Sequence, residues 1–244
     1  MKNEITEGKK QLRDKIWNLL EQEKVAVFPL PVFGRIPNFV GSDKAANLVR
    51  TLPEWKKAKV VFANPDSAQK KIREFALKEG KILIMASPRL KHGFLQIDPQ
   101  NTKGKEEVAS SIKGAFKYGK PVEDHAEGGI EKLKIPPFDR LTSCRAHSVR
   151  GRVVSEVEPP QAGMPKPDLI ITGCVAVDLS GWRLGKGGGY GDIEVKRIKD
   201  EFGEIPVLTT IHPLQMVDFV PHLNHDAKVD IIVTPGKIYR IEKS

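Results

Sequence analysis

The 244-residue sequence has little cysteine, few aromatic residues and no long apolar run. Its two cysteines, Cys144 and Cys174, are too few for the disulfide framework of a small secreted protein, and their spacing excludes a CxxC motif. No apolar stretch approaches the ~20 residues of a membrane-spanning helix, and the polar N-terminus does not match a signal peptide. We therefore expect a soluble, cytoplasmic protein with no membrane partner.

The motifs of two common enzyme classes are also missing. No pair of histidines has metal-binding spacing such as HExxH, so we expect no structural metal. No GxSxG segment exists to place Ser148 and His147 in a hydrolytic triad. His225 stands beside Asp226, and we interpret that pair as structural.

Positive charge is in excess, with 40 Lys and Arg against 31 Asp and Glu and a net charge of +9. Such a balance favours an anionic partner: nucleic acid, anionic lipid or a phosphorylated small molecule. An RNA-binding module is one alternative function, because four arginines cluster in the middle of the chain: Arg140, Arg145, Arg150 and Arg152. The interleaved aromatic residues of an RNA-binding surface are missing there, with only Phe138 nearby. We expect a small-molecule anion rather than nucleic acid.

Short apolar runs alternate with amphipathic segments along most of the chain. The runs without polar alternation are typical of strands buried on both faces of a parallel sheet: 59–63, 81–86, 168–172, 207–211 and 229–233. Further short strands are predicted at 25–28, 175–177 and 238–241, and helices at 5–24, 43–52, 67–78, 105–116 and 192–202. The sequence predicts one α/β domain over residues 1–244, with residues 95–165 as an insertion or a less regular part.

A glycine-rich segment lies between a predicted strand and a predicted helix. Five of its residues lack a side chain that would keep backbone amides from a ligand: Gly185, Gly187, Gly188, Gly189 and Gly191. The N–H groups at the start of the next helix add to an anion site, and Arg183 and Lys186 supply positive charge. Asp192 is a candidate to cap that helix or to hold Mg²⁺.

Two familiar nucleotide motifs do not fit this loop. A Walker loop needs Ser or Thr after its Gly-Lys pair, whereas Gly187 follows Lys186. A dinucleotide fingerprint that starts at Gly185 needs a glycine where Tyr190 stands. The loop therefore predicts an anion site of another kind.

The residues around the loop resemble the 5-formyltetrahydrofolate cyclo-ligase (methenyltetrahydrofolate synthetase) family. The resemblance rests on the run from Asp168 to Asp178, on Gly-Trp-Arg-Leu-Gly-Lys-Gly-Gly-Gly-Tyr at 181–190, and on a C-terminal block at 212–234. It implies a three-layer α/β/α fold with a mainly parallel sheet, like that of NagB, RpiA and CoA transferases. It also implies Mg²⁺ and ATP as cofactors, a reduced folate or related anion as substrate, and conversion of 5-formyltetrahydrofolate to 5,10-methenyltetrahydrofolate.

The resemblance also implies site residues, although the reaction needs no protein nucleophile and we assign no catalytic residue. Candidate ATP contacts are Lys9, Arg13, Arg183, Gly185, Lys186, Gly187, Gly188, Gly189, Tyr190 and Asp192, with Asp192 also the candidate metal ligand. Lys9 and Arg13 are four residues apart, so one helix face carries both charges. Candidate substrate contacts are Tyr190 and two arginines, Arg35 and Arg89, in loops that follow predicted strands.

The sequence departs from the active cyclo-ligases at one point of that loop. Those enzymes carry Gly-Tyr-Tyr-Asp-Arg, whereas here Gly191 and Ile193 replace the second Tyr and the Arg. With the segments 34–39, 63–66 and 88–93, this pattern resembles a paralogous branch, the methenyltetrahydrofolate synthase domain-containing proteins. That branch has a suggested link to thiamin metabolism, so a paralogue without cyclo-ligase activity is the second alternative function.

Overall fold

The computed structural model describes residues 2–122 and 163–242. Several candidates considered above lie outside these residues: Phe138, Cys144, His147, Ser148 and the four clustered arginines. Most of the predicted insertion at 95–165 lies outside them too. In the part of the chain that is described, no helix is both long enough and apolar enough to cross a membrane.

The elements follow one another in an alternating order. The helices are α1 (Lys2–Gln22), α2 (Ser42–Val49), α3 (Pro53–Lys57), α4 (Lys70–Lys78), α5 (Glu106–Ala109), α6 (Ile112–Tyr118) and α7 (Tyr190–Phe202). The strands are β1 (Ala26–Val27), β2 (Asn38–Phe39), β3 (Val60–Ala63), β4 (Ile82–Ala86), β5 (Phe94–Ile97), β6 (Lys120–Val122), β7 (Leu169–Thr172), β8 (Ala176–Val177), β9 (Arg183–Leu184), β10 (Val207–Thr210), β11 (Ile231–Val233) and β12 (Ile238–Arg240).

Eight strands form one mixed sheet in the order β12-β11-β10-β7-β3-β4-β5-β6. The five central strands, β11 to β4, pair in parallel, and the outer pairings are antiparallel. The chain leaves β3 for β4 on one side and later adds β10 on the other side, beside β7. The strand order therefore changes direction between β3 and β7, which is where open α/β sheets bind their ligands.

Helices cover both faces of the sheet. Alternate strand residues such as Val61 and Leu169 pack on one face with α2 to α6, while Phe62 and Ile170 pack on the other with Val195 of α7 and its neighbours. Side chains on both faces of the central strands are buried, and most of them are apolar, as in β3 and β7. The α/β fold is confirmed, and the specific NagB/RpiA-like arrangement stays a prediction.

A third apolar cluster joins α1 to the loops of the molecule. Ile16, Trp17 and Leu20 of α1 pack against Val32 and Val175 and the residues around them. The Trp17 indole N–H also donates to the Arg35 carbonyl oxygen at 3.0 Å. These contacts fix both the proline-rich loop that follows β1 and the segment that leads to the glycine loop.

The strand predicted at 175–177 contains β8, which pairs with β9 in a two-stranded antiparallel ribbon outside the main sheet. The strand predicted at 25–28 contains β1, which pairs with β2. One local prediction was wrong. The helix predicted at 105–116 is broken into α5 and α6, where the Ser111 hydroxyl accepts the Gly114 N–H and starts a new helix. A Cβ on Gly114 would lie 1.8 Å from the Val108 carbonyl oxygen, so this bend needs glycine.

Candidate functional site

A cavity of about 410 Å³ lies where the strand order changes direction. Residues that follow β3, such as Asn64 and Asp66, form one part of its wall, and Thr172 and Gly173 at the end of β7 form another. The glycine loop and the first residues of α7 complete the wall. The cavity therefore occupies the position that the sheet topology favours for a ligand.

The glycine loop connects β9 directly to the start of α7. Gly189 is the N-cap of this helix and has φ of +70°, a left-handed conformation that favours glycine. The structure brings most of the predicted loop residues to the cavity wall: Arg183, Gly185, Lys186, Gly188, Gly189, Tyr190 and Asp192. The N-terminus of α7, where backbone N–H groups lack intrahelical acceptors, thus faces the same cavity.

Two cations of the loop differ in their surroundings. The Arg183 side chain is 1% exposed, and its Nη2 lies 3.0 Å from Asp192 Oδ1. Lys186 is 44% exposed and its Nζ lies 3.4 Å from Asp66 Oδ1. The buried Arg183 is therefore held by a partly buried carboxylate, whereas Lys186 can turn toward a ligand at small cost.

The basic pair on α1 is divided between two tasks. Arg13 Nε donates to the Gly185 carbonyl oxygen at 2.7 Å, and its guanidinium lies beside Gly187. Burial lowers the pKa of Arg13, and nearby carboxylates oppose that shift. Lys9 Nζ pairs with Asp226 Oδ2 at 2.5 Å. The structure thus places Arg13 on the glycine loop, and the assignment of Lys9 to ATP stays a prediction.

Asp192 does not cap α7, since its carboxylate is used elsewhere. Oδ1 accepts from the Ala227 backbone N–H at 3.0 Å as well as from Arg183. Among the described residues, no group of three or more His, Cys, Asp or Glu side chains could hold a metal ion. Mg²⁺ commonly binds through one or two carboxylates and the phosphates of a substrate, so Asp192 fits such a site only as a single ligand beside phosphates.

The predicted substrate contacts lie on other parts of the wall. Arg35 is exposed and lines the cavity, and Tyr190 is partly buried against the apolar cluster of α7. Arg89 belongs to a short 3₁₀ turn, Pro88–Leu90, whose Pro88 lines the cavity. All three residues thus belong to segments that border one space.

Sequence reasoning missed a buried polar pair in this cavity. Glu194 of α7 is 3% exposed and accepts a hydrogen bond from the Asn64 side-chain amide. Burial raises the pKa of Glu194 to about 8, an effect that nearby Asp66 reinforces and that Asn64, Arg183 and Lys186 oppose. The available signal was a charged residue on the apolar face of α7, beside Val195 and four residues before Ile198.

A buried arginine, also missed, shapes the wall that follows β3. Arg73 of α4 is 2% exposed and donates to the carbonyl oxygens of Asn64, Asp66 and Ser110. Burial lowers its pKa to about 10, so it stays charged at neutral pH. Its hydrogen bonds hold the turn that carries Asn64 and Asp66 against the sheet.

The charges around the cavity favour an anion. Its wall carries three basic residues, Arg35, Arg183 and Lys186, and two carboxylates, Asp66 and Asp192, in addition to Glu194. With Glu194 protonated at neutral pH, the lining has one more positive than negative charge. This small excess of positive charge and the N-terminus of α7 both favour a negatively charged ligand.

Comparison with known proteins agrees with this geometry. The model of the 5-formyltetrahydrofolate cyclo-ligase family matches residues 5–134 and 146–235. The chain belongs to this family. The match includes α1 and the central strands, and also the glycine loop and the start of α7, which line the cavity. The family resemblance read from the sequence is confirmed.

Curated relatives carry the name of the paralogous branch. The chain is 32% identical over 240 residues to a methenyltetrahydrofolate synthase domain-containing protein of Bos taurus, covering 95% of this chain and 53% of that protein. For the protein of the same name from Mus musculus, the identity is 31% over 246 residues, covering 96% of this chain and 56% of the relative. The chain thus spans about half the length of the curated relatives it matches.

A solved structure shares the fold. The NMR structure of the Aquifex aeolicus 5,10-methenyltetrahydrofolate synthetase matches with a TM-score of 0.52 and 23% identity, covering 98% of this chain and 94% of that one. At this identity the match supports the α/β architecture of the cyclo-ligase family and nothing more specific.

Proposed function

We propose that this chain binds Mg-ATP on the 183–192 loop and uses it to convert 5-formyltetrahydrofolate, or a related reduced folate, to its cyclised product. The observation that carries this proposal is the meeting of the glycine loop, the N-terminus of α7 and two cations in one cavity. Membership of the cyclo-ligase family supports the reaction class. A cytoplasmic location belongs to the same proposal.

The chain's own groups suit a triphosphate. Backbone N–H groups at the start of α7 donate to phosphate oxygens, and Lys186 adds a mobile positive charge. Arg13 holds the Gly185 carbonyl and so fixes the curvature of the loop. Mg²⁺ would neutralise phosphate charge, with Asp192 as its protein ligand.

The proposed chemistry requires positioning more than reactive side chains. The terminal phosphoryl group of ATP is transferred to the formyl oxygen, N10 then attacks the activated carbon, and phosphate leaves as N10 loses its proton and the ring closes. Because no covalent bond to the protein is formed, the protein contributes by orienting two anionic ligands and stabilising the transferred charge. Arg35 and Lys186, both on the cavity wall, are placed to do this.

The proposal predicts a direct assay result. Purified protein supplied with Mg-ATP and 5-formyltetrahydrofolate should form the methenyl chromophore, with one ADP and one phosphate released per product. Omitting ATP should abolish the signal. ATP binding without any chromophore would contradict the cyclo-ligase reaction. It would favour a paralogue that has lost this activity through Gly191 and Ile193. The remaining alternative, an RNA-binding module, predicts RNA binding that weakens with added salt.

A further inference from the structure

Two buried side-chain oxygens on the cavity wall lack hydrogen-bond partners among the described residues. Asn64 follows β3 and Thr172 ends β7, and they are 5% and 1% exposed. Within the described part of the chain, Asn64 Oδ1 and Thr172 Oγ1 have no partner. Both residues line the cavity. Since buried polar groups in proteins are nearly always satisfied, each unpartnered oxygen calls for an explanation.

The sheet register places these two residues side by side. Ala63 pairs with Ile171, so Asn64 and Thr172 are the next residues of two adjacent parallel strands and share one face. Neighbouring strands lie about 4.8 Å apart, a spacing that lets two side chains contact one small ligand. The Asn64 amide N–H donates to Glu194, which leaves the Asn64 oxygen as the free acceptor.

The next strand provides an internal comparison. Thr209 of β10 is the register partner of Thr172 and is equally buried. Its hydroxyl lies 3.4 Å from the Cys174 thiol and shares a hydrogen bond with it. Of the three neighbouring residues Asn64, Thr172 and Thr209, the two that border the cavity have an unpartnered side-chain oxygen.

We propose that Asn64 Oδ1 and Thr172 Oγ1 form a subsite for the N–H donors on one edge of a nitrogen heterocycle, such as the two N–H groups of an exocyclic amino group. The inference rests on the proposed function, because the heterocycle belongs to a ligand bound in the same cavity as the glycine loop. The adenine ring of ATP presents an amino group beside ring nitrogens that only accept, and the pterin ring of a reduced folate presents an amino group beside a ring N–H. The shared chemistry is recognition of N–H donors by two fixed acceptors.

Calorimetric titration of a Thr172→Val variant tests the subsite. The substitution keeps the side-chain shape and removes the hydroxyl. The variant should bind either ATP or 5-formyltetrahydrofolate about tenfold more weakly than the wild type, which is the effect of one lost hydrogen bond in a buried site. Inorganic tripolyphosphate, which has no ring, should bind within about twofold of the wild-type affinity. The ligand whose affinity falls is the one whose ring occupies the subsite.

Matched variants separate recognition from structure. Thr172→Ser, which restores the hydroxyl, should recover the affinity, and Thr209→Val should leave all three affinities unchanged. Asn64→Ala should weaken the same ligand as Thr172→Val. Because Thr172→Val removes an unpartnered polar group, its melting temperature should equal or exceed that of the wild type.

The subsite is overturned if Thr172→Val binds both heterocyclic ligands with wild-type affinity. It is also overturned if the affinity for tripolyphosphate falls as much as the affinity for those ligands. Failure of the proposed function gives a different result. A wild-type protein that binds neither ATP nor tripolyphosphate overturns the glycine-loop site, and the subsite is then judged on 5-formyltetrahydrofolate. Failure to bind any of the three ligands overturns both.

Discussion

Replacing Lys186 with alanine weakens ATP binding by about 2 kcal/mol, or roughly thirtyfold, while the fold is retained. The loss is large because the ammonium group is expected to contact phosphate oxygens beside the N-terminus of α7. The fold is retained because Lys186 is 44% exposed and its contact with Asp66, at 3.4 Å, is a surface ion pair of small value. Equilibrium titration with Mg-ATP measures the change.

Lys196→Ala is the matched control for this prediction. Lys196 is an exposed lysine on α7 that pairs with Asp200, so its replacement removes the same charge away from the cavity. We expect wild-type affinity for this control. If Lys186→Ala also binds ATP within about twofold of the wild type, Lys186 does not belong to the nucleotide site.

Glu194 should make the protein less stable as the pH rises from about 5 to about 8. Burial raises the pKa of Glu194 to about 8, whereas its carboxyl titrates near 4.5 when it is free of these surroundings. Between these values the native protein keeps a proton that the unfolded chain has released. The free energy of unfolding therefore falls with increasing pH, by about 1.4 kcal/mol per unit at most, until Glu194 ionises in the native state.

Urea unfolding of the wild type and of Glu194→Gln at several pH values gives the contribution of Glu194 as the difference between their free energies of unfolding. Other titrating groups cancel in this difference, so it should change steadily across the window and level off above about pH 8. Asp200→Asn removes an exposed carboxylate on the same helix, and its free energy of unfolding should show the same pH dependence as that of the wild type. Parallel curves for wild type and Glu194→Gln would show that Glu194 does not hold a proton in the native protein.

The central strands were predictable because they are buried on both faces and so consist mainly of apolar residues, as in β3 and residues 169–171 of β7. A strand was predicted at 175–177, where β8 lies, but its pairing with β9 was not predictable, since both strands are two residues long and the pairing depends on the turn between them. The break between α5 and α6 was missed for a related reason. Helical periodicity continues across Ser110 and Ser111, and only the close approach of Gly114 to Val108 shows the bend.

In the candidate site, local sequence patterns predicted the glycine loop but not the distant residues that contact it or line the cavity with it. Glycines, Arg183 and Lys186 stand together in the sequence, so their shared role follows from spacing. The contact between Arg13 and Gly185 joins residues 172 positions apart, and that between Asn64 and Glu194 joins residues 130 apart. Such pairs arise from the order of strands in the sheet, which a single sequence does not specify.

The most direct test of the phosphate site is an experimental structure of the protein with Mg²⁺ and a non-hydrolysable ATP analogue. We predict phosphate oxygens about 2.7–3.2 Å from backbone nitrogens at the start of α7, with Lys186 Nζ turned from Asp66 toward them. A nucleotide bound elsewhere, with the glycine loop making no contact to its phosphates, would contradict the account.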